Sequence, residues 1–107
     1  MIYESDYPVP PLPTTGLFTY LLPDKPSDSP LQQFNKDLPA FIDGVTGRTI
    51  TRGQLKENAL RLASGIRALG LKKKDVACLW GPNSLEWAQA AFGLMAAGVT
   101  VSPANYA

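Results

Sequence analysis

From Ala40 onward the apolar and polar residues fall into three successive rhythms. The first is short. AFID, then GVTG, then RTIT are two strand-length runs around a glycine-containing turn, which predicts a β-hairpin. Gly44 and Gly47 offer the turn its backbone freedom, and Asp43 beside them reads as turn chemistry in preference to a catalytic acid. The second rhythm is helical. Thr51 and Gln54 stand at capping-box spacing, and Leu55, Ala59, Leu62, Ile66 and Leu69 follow as an apolar stripe about 120° wide. Glu57 and Arg61 lie off the stripe at i,i+4 spacing, suited to an ion pair. Gly70 suits the left-handed turn that ends a helix, with Leu71 folding back on Ile66.

The third rhythm is denser. Val76 to Trp80 is a continuous apolar run, which predicts a strand buried on both faces of a parallel sheet, with Cys78 a small buried hydrophobe inside it. Asn83 and Glu86 then have capping-box spacing, so a second helix is expected from about Ser84 to Ala97. Only Glu86, Gln89 and Gly93 interrupt its apolar residues, which occupy an arc of about 220°, the pattern of a helix covered on most sides. Gly98 closes it, and Val99-Thr100-Val101 opens another strand. Strand, helix and strand make a βαβ unit whose crossover is expected to be right-handed. Between the two helical patterns, Lys72-Lys73-Lys74 reads as a solvated corner. A phosphate-binding patch is the alternative, but such binding recruits more cations than three.

Residues 1–39 differ in kind, holding eight of the ten prolines. Proline lacks the amide donor of helices and sheets, so this segment is expected to be an extended arm laid over the body at 40–107. Its island TGLFTYLL places Leu17, Phe18, Leu21 and Leu22 at short-helix spacing, stopped by Pro23.

Composition narrows function mainly by exclusion. Net charge is +1, which gives no electrostatic case for nucleic acid or an anionic surface. The chain has no histidine, hence neither the commonest general base nor the commonest zinc ligand. A single cysteine allows no intrachain disulfide, in keeping with an intracellular protein. The start MIYESDYPVPPLP lacks the pattern of a signal peptide, and no run reaches the ~20 apolar residues of a membrane span. Nucleotide-binding glycine loops, a serine elbow and metal-spaced clusters are all absent.

One amphipathic helix, a hairpin and a two-stranded sheet cannot cover both sides of the second helix, and the sheet has two open edges. Trp87 and Leu94 are expected to stay in water unless something else covers them. The chain therefore reads as a piece of a larger α/β domain.

The order of segments from Pro39 to Asn105 strongly resembles the start of the large N-terminal domain of adenylate-forming (AMP-binding) enzymes, the family of acyl-CoA synthetases, 4-coumarate–CoA ligases and luciferases. RTITRGQL looks like the family's first core motif. LASGIRALGLKKKDVACLWGPNSLEW is similar to its helix, lysine-rich corner, strand and PNS turn, and FGLMAAGVTVSPAN to its second core motif. The resemblance implies an arm, a hairpin and the first βαβ unit of an incomplete domain. For a complete enzyme it implies a carboxylate–CoA ligase using ATP, magnesium and coenzyme A, in the cytoplasm or the peroxisome.

The same resemblance assigns no catalytic, cofactor-binding or metal residue to this segment, which is expected to be inactive alone. Asn83 and Ser84 after the first parallel strand, and Asn105 after the second, sit where α/β sheets bind ligands, with capping and turn formation the stronger reading of all three. The partner expected for the apolar second helix is the rest of the domain. The competing reading is a non-catalytic interaction module that docks this helix on another protein, and a third is a self-sufficient small binding protein.

Overall fold

A computed structural model of the chain describes residues 2–9, 12–25 and 34–105. The elements run α1 (Leu17–Leu21), β1 (Pro39–Ile42), β2 (Thr49–Thr51), α2 (Arg52–Ala68), β3 (Val76–Trp80), α3 (Leu85–Ala97) and β4 (Thr100–Ala104). The α/β character and the incomplete two-stranded sheets follow the expected order. Residues 26–33 of the proline-rich arm lie outside the described residues.

Local signals in the sequence fold as they read. β1 and β2 pair antiparallel around a turn in which the Asp43 carboxylate accepts from the amides of Val45 (2.8 Å) and Thr46 (3.1 Å). Gly47 takes the left-handed conformation at φ 72°, whereas Gly44 does not use its freedom. The α2 capping box closes in both directions: Gln54 N–H donates to Thr51 Oγ1 at 3.2 Å, and Thr51 N–H donates to Gln54 Oε1 at 3.0 Å. At the far end Gly70 N–H reaches the Arg67 carbonyl and Leu71 N–H that of Ile66. Those two bonds define a Schellman termination, and Gly70 at φ 94° takes the conformation that lets it form. The Glu57–Arg61 pair also forms.

Packing divides into two clusters. Leu22, Ile50, Leu55 and Leu85 make the first, flanked by Phe18, Phe34, Ala40 and Phe92, so the arm is anchored by Leu22 between hairpin and helices. Ala63, Leu94, Ala97 and Val99 make the second, with Ile66, Leu71, Ala77 and Val101 against it. β3 and β4 pair in parallel, Val76 opposite Thr100 and Trp80 opposite Ala104, with α3 between them in sequence.

Several expectations about burial are corrected here. The buried line of α2 is Leu55, Ala59 and Ala63, an i,i+4 row, while Leu62 and Leu69 are exposed. Leu62 turns only one side to α3, and Leu69 (81% exposed) stands at the helix end. On α3, Gly93 and Gln89, which interrupt the apolar arc in the sequence, face α2. Asn58 Nδ2 donates to Gln89 Oε1 at 2.7 Å, and a Cβ on Gly93 would lie 2.7 Å from the Leu62 Cβ. Leu94 is accordingly buried at 7% exposure and Trp87 half-buried, so neither stands fully in water. The open apolar surface lies elsewhere. β3 alternates, with Val76, Cys78 and Trp80 (70% exposed) on a face that no described element covers. A run reads as doubly buried only where layers lie on both faces.

Two measurements of unfolding by urea check this packing. Thr51→Ala should cost about 0.5–2 kcal/mol by removing the side-chain acceptor of the box, and an unchanged midpoint would refute it. Gly93→Ala should destabilise by about 1–3 kcal/mol through overpacking. Gly65→Ala, where a Cβ meets nothing within 4 Å, should instead stabilise by roughly 0.5–1 kcal/mol through helix propensity. Equal signs for the two glycines would contradict the close approach of α2 and α3.

Candidate functional site

The carboxyl ends of parallel strands are where open α/β sheets present ligands, and here β3 and β4 end side by side. Beyond them lies an open cleft of about 560 Å³ lined by Gly81, Pro82, Asn83, Trp87, Pro103, Ala104 and Asn105. The chain thus brings Asn83 and Asn105 to one place, with Ser84 at its edge. Trp80 Nε1–H donates to the Asn105 carbonyl at 3.0 Å, which ties the end of β4 to that of β3.

Ser84, not Asn83, is the N-cap of α3. Its hydroxyl accepts from the Trp87 amide at 3.0 Å, so Asn83 is released to line the cleft. Both residues suit a cap, and the glutamate at 86 pointed to the wrong one. Beside the cleft an apolar pocket of about 570 Å³ opens between β1, α3 and β4, with Phe41, Trp87, Met95 and Val101 in its walls. Phe41 meets Phe92 edge-on there at 6.1 Å. Trp87 lines both spaces, a role its place on a mostly apolar helix did not reveal.

The charged groups near this end serve the scaffold. Glu86 is exposed in the first turn of α3 and accepts from Arg48 of the hairpin at 2.9 Å. Its own backbone amide, then the Arg48 hydrogen bond, hold its carboxyl below the usual range. Asp43 is lowered too, first by the Thr46 amide and then by that of Val45.

The cleft lining carries amides, a ring N–H and backbone dipoles, with no carboxylate, lysine, thiol or hydroxyl among the residues named as its walls. Magnesium bound with a nucleotide is usually held by one or two carboxylates besides waters and phosphates, and among the described residues no group of three or more His, Cys, Asp or Glu could hold a metal. The lysine corner is no substitute. It precedes the amino end of β3, roughly 15 Å from the cleft at the rise of a strand, and acts as a turn: Lys72 N–H donates to Asp75 Oδ2 at 2.7 Å and Lys74 N–H to the Gly98 carbonyl at 3.0 Å. These residues do not fit Mg-ATP.

The family model for AMP-binding enzymes matches residues 30–107. The chain belongs to the AMP-binding enzyme family. It is 33% identical over 104 residues to the 4-coumarate–CoA ligase-like 1 protein of Arabidopsis thaliana, a match over 97% of this chain and 18% of the relative. Apo MatB from Rhodopseudomonas palustris superposes with a TM-score of 0.70 at 27% identity, over 86% of this chain and 17% of that one. The N-terminal domain of FACL13 from Mycobacterium tuberculosis gives a TM-score of 0.57 at 34% identity, over 65% of this chain and 18% of that structure. The chain therefore spans less than a fifth of each of these three matched chains. Its fold is part of the N-terminal domain of adenylate-forming enzymes. Among the described residues no helix is long and apolar enough to cross a membrane.

Carboxylates with lowered pKa contribute stability that is present above their unfolded values and lost as pH falls through the lowered ones. Acidification should therefore release the Asp43 turn and the Arg48–Glu86 link only below the ordinary carboxylate range. In an NMR titration the Val45 and Thr46 amides should report a midpoint below 3.8, and Glu86 one below 4.5. Midpoints at or above those values would contradict the hydrogen bonding described.

Proposed function

We infer that this chain is part of an ATP-dependent carboxylate–CoA ligase and that it serves there as scaffold. The complete enzyme would join a carboxylate to AMP with release of pyrophosphate, and then pass the acyl group to the thiol of coenzyme A with release of AMP. ATP, magnesium and coenzyme A belong to that enzyme as a whole. In this reading the described residues supply none of the groups that would hold them, and the chain alone is inactive.

The observation that carries the reading is the match to the AMP-binding family over residues 30–107, joined to a cleft whose walls offer no acid, base or nucleophile. The name of the Arabidopsis relative supports CoA ligation as the reaction class. In this reading Asn83, Ser84 and Asn105 shape the ends of two strands, and their work is capping and turn formation. The open faces at β3 and along α2 meet the remainder of the domain. A non-catalytic interaction module would offer the same faces to a different protein.

Carboxylate-dependent ATP–pyrophosphate exchange tests the reading in two arms. The 107-residue chain should give no exchange above the blank without carboxylate. A 4-coumarate–CoA ligase whose matching segment is replaced by residues 34–105 should retain exchange within about tenfold of its parent, since a scaffold swap leaves transition-state contacts intact. Exchange by the chain alone would overturn the scaffold assignment, and a folded but inert chimera would favour the interaction module.

A further inference from the structure

We propose that Lys56 is an electrostatic clip that straps the N-terminal arm to the body of the fold, and that the arm opens as a unit when the clip is neutralised. Lys56 stands in the second turn of α2, beside the buried Leu55. Its side chain is only 15% exposed. The ammonium donates to the Pro23 carbonyl at 2.8 Å and to the Asp24 carboxylate, and it lies 5.2 Å from the centre of the Phe34 ring. Pro23 and Asp24 come before residues 26–33 in the chain, and Phe34 comes after them. One cation thus gathers the Pro23 carbonyl, the Asp24 carboxylate and the aromatic face of Phe34.

What the clip holds is weak by itself. α1 has five residues, too few for a stable helix in water. Its anchor is the buried side chain of Leu22, packed with Leu55, Ile50 and Leu85, beside the buried Pro23. Leu85 opens α3 directly after the cap residue Ser84, so the strap covers the element that forms one wall of the cleft. Hydrophobic anchoring and ionic clipping can be separated, because Asp24 is 79% exposed and its attraction to Lys56 is open to screening.

Hydrogen exchange on the full chain reads the strap through the amides of Tyr20 and Leu22, bonded to the carbonyls of Gly16 and Phe18. The amides of Leu69 and Val99, bonded to Gly65 and Leu94, serve as references in the body. Lys56→Met should speed exchange at Tyr20 and Leu22 by about tenfold or more, the scale of a lost charged hydrogen bond, with Leu69 and Val99 unchanged. Lys56→Arg should restore part of the protection. Asp24→Asn, a change at an exposed site, should speed the same two amides by a smaller factor. Raising salt should accelerate them in the parent chain and not in Lys56→Met. Unchanged exchange at Tyr20 and Leu22 in Asp24→Asn, or salt-independent exchange in the parent, would overturn the clip. So would a loss of protection in Asp24→Asn that is equal in arm and body.

Discussion

The separation of α2 and α3 is the constraint on which the other elements depend. Along their contact the side chains are small, Ala59 and Ala63 on one helix and Gly93 and Ala97 on the other, so the backbones come close enough for Leu62 to rest where a Cβ would otherwise stand. The Asn58–Gln89 amide pair brings polar atoms into that contact, hydrogen-bonded across the gap. Close packing draws in Leu94, and with it Val99, the residue before β4, and the Ala77 side of β3. A side chain larger than glycine at 93 would lift α3 from α2 and, with it, the strand that α3 delivers.

The second cluster works differently, since it is assembled from segments far apart in sequence. Leu22 from the arm, Ile50 from the hairpin, Leu55 from α2 and Leu85 from α3 each contribute one buried side chain. None of these segments would hold its place alone. Polar links reinforce the same junctions from outside: Lys56 to the arm, Arg48 to the first turn of α3, the Lys36 carbonyl to the Gly53 amide at 2.9 Å. The exposed ion pair among these links, Arg48–Glu86, contributes little to global stability. The consequence of the links is local, in fixing which segment lies where.

Legibility in the sequence followed the range of the interaction. The capping box at Thr51 and Gln54, the termination at Gly70 and Leu71 and the Asp43 turn are all decided within six residues, and each stands in the fold as it reads in the sequence. Burial was less legible because it depends on what lies opposite. Leu62 and Leu69 carry the correct spacing for a core stripe yet look outward, and Gly93 and Gln89 look like a polar seam yet face a helix. Cys78 reads as buried because its neighbours are apolar, but alternation on β3 turns it to the uncovered face. The cleft was legible as a location, through Asn83, Ser84 and Asn105, and not as chemistry. Capping by Ser84 instead of Asn83 is a choice between two good caps that spacing does not resolve.

On the scaffold reading proposed above, that location would let a segment support a fold without itself carrying a reaction. A ligand site at the carboxyl edge of a parallel sheet needs walls from several strands, since each loop contributes only a few groups. Here two strands contribute amides, a tryptophan and prolines, which can shape a surface but cannot transfer a proton or neutralise a phosphate. The uncovered face of β3, with Val76 and Trp80 exposed, and the strand edges left open by the described elements mark where further layers belong in a larger protein, of which this chain spans 18% in the Arabidopsis relative and 17% in MatB. Burying a side chain the size of tryptophan or valine is worth about 1.5–3 kcal/mol. The same faces that are a liability alone would therefore supply much of the free energy that docks those layers, and the layers in turn would bring the charged groups that the cleft lacks.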